Sequence, residues 1–326
     1  MPAQMNLTLL RMTIVKNKIR KFIIQRVDTL TCDITHPHTI RLLRKLVYTW
    51  FLINTIILIP SASEFWGDNS FIPTIDSEIA GKYKLLYLLS FNSFAPYYAA
   101  FIGLQIILLI LGILCIYPRL VSLLIYLVTI NLDNKAYVIL DGGNNIMQLI
   151  LIYMIFMDPS VPKNKYKNSL LNQINNSVSN LSFYLVRFQI VVVYLVSGLA
   201  KVDGLLWQNG TALYYTLSID EYSHPVVQKI ISNYPAISVI GTYATLVYQL
   251  SFPWLVWNRQ IRPWLLLFGA FIHIQISFVM GLFMFGLSIA TSYFSFTTDN
   301  AAKKILNIRA TIEGRYKRYL APVKLS

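Results

Sequence analysis

The chain has 326 residues, enough for one large domain or two ordinary ones. Hydrophobic residues make up 56% of it and charged residues only 13%, against about 25% in a typical soluble domain, and the mean hydropathy is +0.54. So few charges can hardly cover a water-soluble chain of this size, which argues against a soluble enzyme or a disordered protein and for an all-α, polytopic transmembrane bundle. The net charge is +14, which basic loops on one side of a membrane explain without nucleic acid.

Residues 1–42 read as a cytoplasmic or interfacial N-terminal segment. Arg11, Lys16, Lys18 and Arg20 interrupt any signal-peptide core, and an amphipathic interfacial helix over 8–26 fits the pattern. Apolar windows then follow at 43–60, 94–116, 120–132, 145–157, 181–199, 235–257, 263–281 and 282–296. A perpendicular crossing needs about 20 residues, so the third, fourth and eighth windows are short. The expectation is a bundle over 43–298 with about eight spans and both termini cytoplasmic. A polar loop near 160–180 divides its halves, and a basic cytoplasmic tail occupies 299–326.

Charge supports that layout. With the N-terminus inside, 22 of the 28 basic residues fall on the cytoplasmic side and five outside, Lys201 among the five. The basic side is expected to face anionic lipids of the membrane that the chain crosses several times. Cys32 and Cys115 both lie on the reducing side, so no stable disulfide is expected. No phosphate-cradling glycine loop occurs, and the four histidines have no metal-ligand spacing, so no metal is expected.

A few polar groups stand out against the apolar background. Lys201 ends the fifth window: it is either a general base in an apolar mouth or a snorkelling side chain tied to Asp203. Arg187, with Gln189 near it, lies inside the same window, as a snorkelling cation or one facing a partner or ligand. His273 sits in mid-window as a functional group or a histidine bonded to a neighbouring helix. Trp207, Tyr214 and Tyr215 follow Lys201 as a pocket wall or an interfacial belt. Asp141, Gly142, Gly143, Asn144 and Asn145 form a turn and cap or line the same mouth as Lys201.

The stretch Arg187-Phe188-Gln189 and then VVVYLVSGLAKVDGLLWQNGTALYY, which contains Tyr194, resembles the HTTM (horizontally transferred transmembrane) family. This is the membrane domain shared with vitamin K-dependent gamma-carboxylases. The likeness continues through QLSFPWLVWNRQIRPW, His273 and MGLFMFGLSIATSYF, and is strongest over 181–296. It implies that Lys201 matches the lysine that activates a reduced quinone for carboxylation of a glutamyl side chain. The site expected from the residues has Lys201, Asp203 and His273 as catalytic, with Arg187, Gln189, Tyr194, Trp207, Tyr214 and Tyr215 around the substrate. Two departures are visible: Ala200 stands where the animal enzymes tend to carry a second lysine, and the step from Lys201 to Trp207 is one residue longer. The length is closer to the short bacterial forms, which resemble the membrane protein that helps mature a secreted sporulation-delaying peptide toxin. The resemblance therefore implies a multi-pass protein of the bacterial inner membrane, a membrane enzyme or maturation factor acting on a peptide or a reduced quinone, with a partner membrane protein. A noncatalytic, immunity-like partner and a small-molecule transporter are the alternatives.

Overall fold

The computed structural model describes residues 21, 25, 28–67, 70–72, 82, 84–90, 95–159 and 169–307. The interfacial helix expected over 8–26 lies almost wholly outside them. So do residues 160–168 of the central loop and 308–326 of the tail.

The described residues form thirteen α-helices. They are α1 (Pro37–Leu58), α2 (Ala62–Trp66), α3 (Tyr98–Ile113), α4 (Pro118–Lys135), α5 (Gly142–Phe156), α6 (Leu170–Val202) and α7 (Leu205–Gln208). Then come α8 (Ala212–Leu217), α9 (Pro225–Asn233), α10 (Pro235–Leu255), α11 (Arg262–Val279), α12 (Phe283–Tyr293) and α13 (Asp299–Leu306). Helix starts follow from local chemistry. Proline stands at the first or second position of α1, α4, α9, α10 and α11, where its missing N–H costs nothing and its φ is already helical. The Asp141 to Asn145 stretch forms a capping box: the Asp141 carboxylate accepts from Gly143 N at 2.7 Å and Asn144 N at 3.0 Å, opening α5.

α1 lies at the centre. Ile40, Leu43, Val47 and Phe51 recur every three or four residues and are buried, the stripe expected of a helix packed on several sides. It meets α3, α12 and α13, and Trp50 donates its indole N–H to Met284 O of α12 at 3.0 Å. In the other half, α6 packs along α10 and α11 along α12.

The span count differs from the sequence expectation. Three helices are long and apolar enough to cross a membrane: Pro37–Trp66 (α1 continued through α2), Leu170–Val202 (α6) and Arg262–Val279 (α11). A fourth is reached if α9 and α10, bent by 99° at Tyr234, are counted as one crossing. About eight spans is therefore corrected to three, or at most four. The cause is length and polarity. α3, α5 and the 283–296 segment are helical and apolar but have 10–17 residues, below the about 20 that a hydrocarbon core requires. α4 reaches 18 residues but carries Arg119, Asp133 and Lys135. With the eight-span layout goes the support that its even count gave to both termini being cytoplasmic. What remains is an all-α, multi-pass membrane protein.

Candidate functional site

Three residues of α6, Tyr194, Ser197 and Lys201, are spaced by three and four and so share one helix face. At the deep end, Tyr194 Oη bonds His273 Nε2 of α11 at 2.8 Å and, in a short contact, Tyr293 Oη of α12. Tyr293 Oη in turn bonds Tyr248 Oη of α10 at 2.9 Å. Four helices thus contribute one polar group each to a buried chain. Phe252 closes one side, its ring 4.2 Å from that of Tyr194. Gly269 of α11 makes room for the chain: a Cβ there would overlap the hydroxyls of both Tyr248 and Tyr293.

The order of donors in the chain has two forms. If His273 Nε2 accepts, the sequence runs Tyr248 to Tyr293 to Tyr194 to His273, each hydroxyl donating once. If Nε2 carries the hydrogen, every bond reverses. His273 Nδ1 is buried without a partner in either form. A chain that reverses as a unit can pass a proton between its ends.

At the other end of the stripe, Lys201 Nζ donates to Ser197 Oγ at 2.7 Å and Ser197 O at 3.4 Å, and lies 5.2 Å from the centre of the Trp207 ring. Ser197 Oγ reaches Gln249 Oε1 of α10 at 3.4 Å. Asp203 is exposed at the C-cap of α6, and no ion pair joins it to Lys201 among the described residues. Gly204 permits the turn that lays α7, and Trp207 on it, back against Lys201: its N–H donates to Lys201 O at 3.0 Å. Tyr214 and Tyr215 pack edge to face on α8, which docks on α10 through Leu213 N to Thr242 Oγ1 at 3.0 Å.

The structure therefore brings Lys201 to Trp207 and Tyr194 to His273. It does not bring Lys201 to His273 or Asp203. Tyr194 and Lys201 stand two helical turns apart, about 10 Å along the axis. Gln189 is half-buried without a hydrogen bond among the described residues. Arg187, buried, belongs to a different place: its Nε donates to Ser295 O at 2.8 Å, and the Phe183 ring lies 4.5 Å from its guanidinium carbon. Among the described residues, no three His, Cys, Asp or Glu side chains gather as a metal set.

Sequence reasoning missed three participants. Tyr248 and Tyr293 complete the buried chain but are two of 21 tyrosines in the sequence, with nothing in their spacing to single them out. Arg44 looked like one more basic residue at the mouth of the first window. It is fully buried, and donates to Tyr48 Oη at 2.9 Å, Pro118 O at 3.0 Å and Ser122 Oγ at 2.7 Å, and also to Met154 O and Met157 O. The one available signal was its position four residues before Tyr48, on the buried face of α1.

No family model matches the chain, and no solved structure matches it. It is similar to YitO, an uncharacterized protein of Bacillus subtilis (strain 168), at 26% identity over 199 residues. That stretch covers 57% of this chain and 62% of YitO.

Proposed function

We propose that the chain is an HTTM-type protein of a bacterial cell membrane, with an acid–base site at the C-terminal end of α6. Lys201 is the base in this reading, and the substrate is a lipid-soluble reduced quinone or a peptide brought to the membrane. The observation that carries it is the setting of the amine. The amine that acts as a base is neutral, with two N–H donors and one lone pair. Here both donors point at Ser197, Trp207 covers one flank, and no carboxylate engages the nitrogen among the described residues. The lone pair is left to accept the proton of a substrate hydroxyl. Ser197, held toward Gln249, keeps the amine in place while it takes the proton.

A second reading rests on the other end of the stripe. Three tyrosines, His273 and Phe252 fill the space between α6, α10, α11 and α12 with rings. A noncatalytic membrane partner, immunity-like in role, needs only such a tie.

The two are separated by purifying the full chain in mild detergent and identifying co-bound quinones and lipids by mass spectrometry, with Lys201→Ala and Lys201→Arg alongside. The enzyme reading expects a quinone in the wild type, reduced at least about tenfold in Lys201→Ala, the loss of one charge-assisted hydrogen bond. Wild-type protein that carries no quinone and no peptide supports the partner reading instead.

A further inference from the structure

Around Arg187 several chain ends converge. His36 is the N-cap of α1, Arg262 is the first residue of α11, Ser295 and Phe296 form the turn after α12, and Asp299 opens α13. The α6 helix continues past this level into an Asn- and Ser-rich stretch, residues 172–180. Helix ends and a polar helix extension at one depth mark the boundary of an apolar layer. Arg187 lies about two turns inside the end of that polar stretch, within reach of the boundary for a long side chain.

Two guanidinium groups are fastened to consecutive carbonyls there: Arg187 Nε to Ser295 O at 2.8 Å and Arg262 Nη1 to Phe296 O at 3.2 Å. Arg262 spends its other nitrogens on Val256 O and Trp257 O. Arg187 does not. It is 8% exposed, its plane is set by the Phe183, Tyr184 and Phe296 rings, and its two terminal nitrogens hydrogen-bond to nothing among the described residues. Neither nitrogen is both buried and unpartnered among the described residues, so both retain access to the exterior. His36 packs on the same Phe183 and Tyr184 rings, at 5.1 and 6.2 Å, and its Nδ1 is buried without a partner. Burial and then the charge of Arg187 pull the His36 pKa down to about 4, so the ring is neutral at pH 7 and keeps one N–H to donate.

The balance of charge is incomplete. Asp299 is the acid felt at His36, and its Oδ1 is committed to the N-terminus of α1, accepting from His38 N at 2.8 Å and Thr39 N at 2.9 Å. It forms no ion pair with either guanidinium among the described residues. Two neighbouring cations, one nine-tenths buried with two free N–H edges, are costly as they stand and are relieved by an anion. The free edge of a guanidinium suits a tetrahedral oxyanion, because parallel N–H groups meet two oxygens at once.

We propose that Arg187, with Arg262 and His36 beside it, forms a binding site for a phosphate group, carried by a phospholipid headgroup or free in solution. Arg187 supplies the two-pronged contact, Arg262 the second positive charge, and His36 a neutral donor at the rim. This site lies at the opposite end of the apolar part of α6 from Lys201 and does not depend on the function proposed for that residue.

The test uses the full chain in dodecylmaltoside at fixed ionic strength, with the unfolding midpoint as readout. The probes are inorganic phosphate, dioleoylphosphatidylglycerol and, as a lipid without phosphate, dioleoylglycerol. A saturable rise in midpoint is expected with a phosphate-bearing probe and not with dioleoylglycerol. Half-saturation is expected to weaken at least about tenfold in Arg187→Gln, and to be unchanged in Lys229→Gln at an exposed position of α9. A response to phosphatidylglycerol alone assigns the site to a headgroup, and a response to inorganic phosphate as well assigns it to free phosphate. If Arg187→Gln does not fold, Arg187→Lys and Arg262→Gln take its place in the same titration, with the same weakening expected. No saturable response in the wild type, or one that these substitutions leave intact, overturns the proposal.

Discussion

Arg44 shows how one residue can hold helix ends that have no other partner. The last carbonyls of a helix lack intrahelical donors. In α5 those of Met154 and Met157 are met by the Arg44 guanidinium, which also takes the Pro118 carbonyl at the start of α4. The charge is favoured there by the negative end of the α5 dipole, though burying it is costly. Replacing it by a leucine of suitable volume removes that cost but strands the Met154 and Met157 carbonyls, while Tyr48 Oη, Ser122 Oγ and Pro118 O keep their bonds to one another. The stranded groups outweigh the gain, because each buried unsatisfied acceptor costs about 1–3 kcal/mol. Arg44→Leu is expected to lower stability by about 2–4 kcal/mol, and Arg44→Lys by less, since an ammonium still reaches some of the five acceptors. Chemical denaturation of the detergent-solubilised chain measures this, and equal midpoints for wild type and Arg44→Leu would refute it. None of this was legible from position alone. Arg44 and Lys45 are adjacent basic residues in the sequence, and only the phase of the helix separates a buried one from its half-buried neighbour.

At the level of elements, α6 was legible in its middle and not at its start. The apolar window 181–199 predicts a crossing helix, and the helix is there. It also runs back to Leu170 through an Asn- and Ser-rich stretch that reads as loop. The helix has 33 residues and so extends about 50 Å, against about 30 Å of hydrocarbon. Its polar extension has a task that propensity does not reveal: Asn180 Oδ1 accepts from Thr35 N at 2.9 Å and Thr35 Oγ1 at 3.0 Å, while its Nδ2 donates to Leu30 O and Asp33 O at 2.8 Å. Asn176 adds bonds to Thr31 O and Cys32 O. Partners about 145 residues away convert a sequence that favours turns into helix. Asn180→Ala removes all four bonds of that side chain at a site partly open to water. The expected result is about 10- to 100-fold faster hydrogen exchange at the Thr35 amide, with exchange at the Thr242 amide in α10 unchanged. Unaltered Thr35 exchange would show that Asn176 alone holds the segment.

For the whole molecule, the windows located helices well and crossings poorly. Windows 94–116, 145–157 and 282–296 each hold an apolar helix, but hydropathy reports composition, while spanning also requires length. The open question is whether α10 crosses. Alone it does not qualify, and joined to α9 it does, across a 99° bend whose cause is local: Pro235 forces Tyr234 out of the helical region. Packing favours a crossing. Tyr243 donates to Gln208 O at 2.7 Å, beyond the C-terminal end of α6, and Gln249 sits at Ser197. The Phe252 ring packs tilted on Tyr194, and Val256 O accepts from Arg262, which is anchored beside Arg187. α10 therefore runs antiparallel to α6 from beyond Lys201 to the level of Arg187, a stretch of 14 residues or about 21 Å along a helix that itself crosses. The expectation is that single cysteines replacing Gln228 in α9 and Arg259 after α10, in a chain with Cys32 and Cys115 changed to serine, are labelled by a membrane-impermeant maleimide from opposite faces. Cysteines at Leu171, at the start of α6, and Leu205, just past its other end in α7, should show the same opposition and serve as the reference. Labelling of both α9 and α10 positions from one face would reduce the count to three crossings. The α9–α10 pair would then be a re-entrant element, its backbone covered by α6 and the helices beside it.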